Sequence, residues 1–187
     1  MLAQAISHKQ WTRDECVALE RAGIIDPQRY ELIEGELIQR MGKNQPHVRT
    51  LALLCAWLRS AFGDLFISQE SPIDVSPGDN PTSEPEPDAI VLDKTIQAFV
   101  NKPRPENVRL VAEVSDSSLF FDLNVKANLY ARARIQEYWV VDINARRLII
   151  HRDPMDGRYQ TITPHASTET VSPLAAPAAQ LQIASIF

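Results

Sequence analysis

The stretch EPEPDAIVLD, Glu84 to Asp93, decides how this chain folds. Its apolar run Ala89-Ile90-Val91-Leu92 reads as a buried strand, yet it opens on Asp88, directly after Pro87. RLVAEVS, Arg109 to Ser115, repeats the pattern with Glu113 inside Leu110-Val111-Ala112-Val114. A carboxylate in a buried strand is costly unless something pairs with it. Two such strands in succession suggest a shared partner, and a metal ion is the obvious candidate. Strand alternation puts Val111, Glu113 and Ser115 on one face and Leu110, Ala112 and Val114 on the other.

The next segment downstream, DLNVKANLYARARI from Asp122 to Ile135, reads as a helix with Asp122 as its N-cap. At about 100° per residue, Leu123, Val125, Leu129, Tyr130 and Ala133 form its apolar face, and Lys126 falls in the middle of that face. Such a lysine either snorkels outward along its stem or points at the sheet toward an anionic partner. Asp88 and Glu113 lie on the strands just before it. Each carboxylate taken alone is satisfied by a structural ion pair. Taken together, two carboxylates can hold a hard divalent cation that keeps several waters. The cation would lower the pKa of a bound water and neutralise a phosphate, and the lysine would stabilise developing negative charge. Those are the needs of phosphodiester hydrolysis.

Working further outward, Thr12 to Glu15 is a capping box opening a helix through Ala22, which Gly23 ends. RYELIEGELIQR, Arg29 to Arg40, is a hairpin turning at Glu34-Gly35. His47 to Phe62 is a helix with the stripe Val48, Leu51, Cys55, Leu58 and Phe62. Leu65 to Pro77 reads as a strand, and Lys94 to Val100 as a short helix. Glu137–Ile143 and Arg146–Asp153 pair across Asn144-Ala145, Gly157–Thr163 adds a strand, and the last apolar cluster docks on the body. The expected fold is an α/β domain over residues 1–187, with its core about 30–160. It has a mixed sheet flanked by helices, an N-terminal hairpin and a C-terminal β-meander.

Composition narrows the function classes. The chain has 187 residues and a net charge of −5, which argues against a surface coated for nucleic acid. No apolar run approaches the roughly 18 residues of a membrane span, and the N-terminus lacks a secretory layout. Cys16 and Cys55 fall in helical patterns and read as reduced core residues of a cytoplasmic protein. From Asp64 to Asp93 there are eight acids and no Lys or Arg, whereas Lys126 to Arg152 holds six bases against Glu137 and Asp142. The asymmetry reads either as ordinary solvated charge or as a cation-attracting region beside a phosphate-attracting one. In the second reading Arg146, Arg147 and Arg152 are the nucleic-acid contacts. No P-loop, clustered-glycine dinucleotide motif, zinc spacing or serine elbow is present.

PDAIVL followed by VAEVSDSS resembles the metal-binding core of the PD-(D/E)XK nuclease superfamily. One position departs: Ser115 stands where the usual Glu-x-Lys motif has its lysine. RYELIEGEL, Pro46-His47 leading a helix, Pro87-Asp88, Glu113-Val114-Ser115, Lys126 with LYA after it, and EYWVVD resemble, as an ordered set, the Uma2 family of restriction-type endonucleases. The likeness spans roughly Tyr30 to Tyr159. It implies a restriction-endonuclease-like core and metal-dependent hydrolysis of DNA with Mg²⁺ or Mn²⁺. Asp88, Glu113 and Lys126 would be the catalytic residues, the lysine supplied from the helix, with Asp88 and Glu113 holding the metal. The likeness also offers Glu31 or Glu34 on the hairpin, and His47, as accessory residues, and a homodimer because cutting both strands needs two sites. Ser115 either bonds a metal water or Glu113, or simply ends the strand. The alternative reading is an inactive nuclease-fold module that binds nucleic acid or protein.

Overall fold

The computed structural model describes residues 8–40, 42 and 44–187. Helix α1 (Arg13–Arg21) starts on the expected capping box: the Thr12 hydroxyl accepts from the Glu15 amide, and the Glu15 carboxylate accepts from the Thr12 amide. Strands β1 (Tyr30–Ile33) and β2 (Glu36–Gln39) form the expected hairpin. Its turn residues Glu34 and Gly35 both have positive φ, 51° and 81°, the geometry of a tight two-residue turn. A side chain at Gly35 would also collide with Gln10, whose Cβ lies 2.8 Å from where a Cβ would stand.

Helix α2 (Gln45–Phe62) is capped by Asn44, which accepts from the amide of His47 at 3.0 Å. Its buried stripe is Leu51, Leu54, Cys55 and Leu58. Val48, expected in that stripe, is 46% exposed. Strand β3 is only Ile67–Gln69, shorter than expected. Beyond it, the prolines and turn residues take the chain through an irregular path and a 3₁₀ turn at Asn80–Thr82. The short helix expected near residue 97 is a 3₁₀ turn at Ile96–Ala98.

Strands β3, β4 (Ala89–Leu92), β5 (Val108–Ser115), β6 (Glu137–Asp142), β7 (Arg147–Met155) and β8 (Arg158–Ala166) form one mixed sheet in that order. Only β5 and β6 run parallel. A parallel pair needs a crossover, and the helical segment between them supplies it. That segment comprises α3 (Leu119–Phe121), a π-helical turn (Asp122–Lys126) and α4 (Ala127–Arg132). Asp122 is therefore not an N-cap. Ser118 precedes the helix, and Asp122 lies inside it, 3% exposed.

The two sheet faces carry separate cores. Ala89, Val91, Leu110, Ala112 and Val114 pack against α2 and against the C-terminal residues Leu181, Ile183 and Ile186. The tail therefore docks on the body, through β9 (Thr170–Val171), β10 (Leu181–Gln182) and a terminal 3₁₀ turn. On the opposite face Ile90, Leu92, Val111, Tyr138 and Val140 pack against Ala127, Leu129 and Tyr130 of α4. Among the described residues no helix is long and apolar enough to cross a membrane.

Candidate active site

The strand register brings the two odd carboxylates together. Ala89 pairs with Ala112 and Ile90 with Val111 across an antiparallel ladder. One step further, Asp88 stands opposite Glu113, so both share the face of Ile90 and Val111. They also interlock through the backbone. The Val114 amide donates to Asp88 Oδ2 at 2.8 Å, and the Asp88 amide donates to Glu113 Oε2 at 3.3 Å.

Lys126 comes to this face from the crossover. It is 5% exposed, and its Nζ lies 3.0 Å from Glu113 Oε1 and 3.0 Å from Glu31 Oε1. The snorkelling alternative is excluded: an outward lysine would not be buried between two carboxylates. The π turn helps to place it. A wider turn lets Asp122 and Lys126 both face the interior, and such turns gather at functional sites. Asp122 Oδ2 accepts from Ser115 Oγ at 2.7 Å and from Ser118 Oγ at 2.6 Å. Ser115 thus holds Asp122. Tyr130 Oη donates to Glu113 Oε1 at 3.0 Å.

The remaining candidates divide. Glu31, from β1, meets Lys126 and also accepts from the Glu86 amide at 3.3 Å. His47, set by the cap of α2, puts Nε2 at 3.3 Å from Asp88 Oδ2, while its Nδ1 has no hydrogen-bond partner among the described residues. Glu34 stays at the hairpin turn, paired with Arg132. The three C-terminal arginines lie outside the cavity. Arg147 pairs with Asp142, Arg152 is held by Glu137 and the Ser172 carbonyl at the other end of β7, and Arg146 stacks over Phe187. Asp122, Ser118 and Tyr130 escaped the sequence reading. The four-residue spacing of Asp122 and Lys126 was the available signal, but a regular helix assigns Asp122 to the cap.

A cavity of about 380 Å³ opens over these groups. Glu31, Asp88, Glu113 and Asp122 form its interior and Glu70, Glu86 and Asp116 its remaining acids, against Arg40 and Lys126. Protonation follows from that surplus. Burial alone would raise the Asp88 carboxyl, but His47, the Val114 amide and Lys126 outweigh it and hold Asp88 below the usual carboxylate range. Burial pushes Glu113 up, against the pull of Lys126, with the Asp88, Asp122 and Glu31 charges adding to the rise. Asp122 is likewise raised by burial, against Lys126 and the two serine hydroxyls. Burial would lower Lys126, but Glu113, Glu31 and Asp122 carry it above its ordinary value. These shifts express one excess of buried negative charge: Lys126 keeps its proton, and Glu113 and Asp122 favour a proton or a nearby cation.

That excess is what a divalent cation would neutralise, so the residues fit one. Among the described residues no three His, Cys, Asp or Glu side chains converge in a metal-holding cluster. Asp88 and Glu113, opposite each other on the ladder, are the two carboxylates that could hold such an ion, with its remaining positions taken by water.

The profile of the Uma2 family, described as "Putative restriction endonuclease", matches residues 14–184. Among solved structures, the chain is similar to "a putative nuclease belonging to DUF820" from Anabaena variabilis. The TM-score is 0.66 at 15% identity, over 94% of this chain and 97% of that one, a likeness of fold. No curated protein matches.

Proposed function

The chain belongs to the Uma2 family, and from that premise we propose that it is a metal-dependent endonuclease hydrolysing phosphodiester bonds in DNA. The observation that carries this reading is Lys126. A buried ammonium sits 3.0 Å from Glu113, although the strand that carries Glu113 has no lysine. The charge that Ser115 cannot supply arrives from the helix.

Asp88 and Glu113 would hold the cation, Mg²⁺ or Mn²⁺, which supplies a water of lowered pKa and charge neutralisation at the phosphate. The chain's own residues do the rest. Lys126 holds its proton and offers a fixed positive charge to the oxyanion that develops as water attacks phosphorus and the P–O bond to the sugar breaks. Glu31 and Glu113 fix the Lys126 ammonium from two sides. Tyr130 keeps Glu113 turned by donating to its Oε1. Ser115 and Ser118 hold Asp122, whose charge helps to keep Lys126 protonated. His47 steadies Asp88 Oδ2.

Supercoiled plasmid incubated with Mg²⁺ or Mn²⁺ tests the reading. Wild type should nick or linearise it. Lys126→Met should cut at least about 10²-fold more slowly, as for loss of a fixed transition-state charge partner. A variant as fast as wild type would remove Lys126 from the chemistry. No cutting with either metal would leave the fold as a binding module.

A further inference from the structure

A second cleft, of about 760 Å³, lies at the other end of β5 and gathers Arg104, Arg109, Arg132 and Arg134. We infer that this cleft binds the phosphate backbone of a nucleic acid, several nucleotides from the reaction cavity. The inference rests on the nuclease reading for its choice of ligand, and on the following observations for its site.

Arg104, Arg109 and Arg134 are exposed and make no ion pair among the described residues. Arg13, Arg40, Arg132, Arg147 and Arg152 have carboxylate partners, whereas the other exposed arginines without one, such as Arg21, Arg29 and Arg158, do not line this cleft. In a chain of net charge −5, what sets these three apart is that they line one cleft, together with Arg132. The acids that line the cleft are Glu106 and Asp74, and Asp74 is already taken by Arg13 at 2.8 Å. Guanidinium forks match phosphate oxygens two at a time.

Arg134 adds an independent sign. It occupies the left-handed position that ends α4, with φ of 58°. Its amide bonds the Ala131 carbonyl at 2.9 Å, and the next amide, Ile135, bonds the Tyr130 carbonyl at 3.1 Å. This is the helix-ending motif in which glycine is the usual residue. An arginine there is strained relative to glycine, and the strain is retained at a position lining the cleft.

Spacing fits one continuous ligand. Val108 borders the cleft and Glu113 the cavity, five residues apart on one strand. At about 3.3 Å per residue the two lie about 16 Å apart along the strand. With a rise of about 3.4 Å per nucleotide, that corresponds to about five nucleotides.

The test uses fluorescein-labelled 20-base-pair DNA in EDTA, which separates binding from cutting, read by anisotropy over a salt series. The variant is Arg104→Gln/Arg109→Gln/Arg134→Gly. Because Arg134→Gly places the favoured residue at the helix end, the variant should melt no lower than wild type. Its affinity should fall at least about tenfold, and its log K against log salt slope should flatten by about 2 to 3. Unchanged affinity and slope in the variant, or no DNA binding by wild type, would overturn the inference. So would poly-glutamate that binds as tightly as DNA and is lost in the same variant, since the partner would then be an acidic protein. A wild type that binds DNA through these arginines but cuts none with Mg²⁺ or Mn²⁺ would overturn the nuclease reading and leave the cleft standing.

Discussion

The acidic cavity and the arginine cleft occupy opposite ends of the same strand, and they treat charge in opposite ways. In the cavity the charges are buried and locked: Lys126 between Glu31 and Glu113, Asp122 between two serines. In the cleft Arg104, Arg109 and Arg134 are exposed and make no ion pair among the described residues. Burial makes each cavity charge depend strongly on its neighbours, because the low-dielectric interior magnifies both attraction and desolvation. Exposure makes each cleft charge nearly independent and cheap to remove. The comparison suggests a division of labour, with chemistry where charges are fixed and adhesion where they are free.

The sharpest attempt to break this contrast is Lys126→Met without metal. Removing the ammonium leaves Glu31, Glu113 and Asp122 buried without their shared cation, so the variant should lose about 3–5 kcal/mol of stability by urea denaturation. A loss under 1 kcal/mol would mean that the cavity charges are as independent as those of the cleft.

Next in size is a pH dependence confined to the cavity. The folded-state pKa values of Glu113 and Asp122 are raised by burial, so the native state binds more protons than the unfolded chain above their ordinary values of 4.5 and 3.8. Their contribution is therefore fully present below those values and falls as pH rises through the raised folded pKa. Asp88, held low, contributes in the opposite sense at more acidic pH. Metal-free Glu113→Gln should flatten the decline toward alkaline pH, read as melting temperature against pH beside wild type. The cleft variant should keep it, and parallel curves for wild type and Glu113→Gln would show that Glu113 does not store this proton.

Mg²⁺ separates the two regions directly. At 100 times its dissociation constant it should stabilise wild type by about 2.7 kcal/mol. Asp88→Asn should abolish most of that gain, and the triple arginine variant should retain it. Equal stabilisation of Asp88→Asn, measured by thermal melting, would place the ion elsewhere.

The smallest effect tests the seam between the regions. Arg132 lines the cleft but pairs with Asp79 and Glu34 at 3.0 and 2.6 Å, about a third exposed. Arg132→Ala should cost roughly 0.5–1 kcal/mol, the range of partly solvated ion pairs. A loss like that of Lys126→Met would show that the cleft, too, is built on interior electrostatics.

Much of the cavity was already legible in the chain, because its signals are local. Period-two alternation fixes which way Glu113 faces within its strand, and helical periodicity sets Lys126 on the apolar side of its helix. Neither inference needs a distant residue. The hairpin turn at Glu34-Gly35 and the capping box at Thr12 were readable for the same reason, since each is specified by neighbours within four positions. The π turn defeated the regular wheel at Asp122, because one wider turn changes the phase of everything beside it and leaves no mark in residue type.

What only the tertiary structure decided is partnership. Register across β4 and β5 set Asp88 opposite Glu113, the hairpin carried Glu31 to Lys126 across some ninety-five residues of chain, and the cap of α2 delivered His47 to Asp88. The sequence placed the phosphate contacts on the basic C-terminal hairpin. In the fold Arg147 and Arg152 pair with carboxylates and Arg146 stacks over Phe187, while Arg104, Arg109 and Arg134 come to one cleft from a loop, a strand and a helix end. Local pattern determines which way a side chain points. Which charge it meets depends on chain segments brought together over long sequence distances, and burial then magnifies that meeting into chemistry.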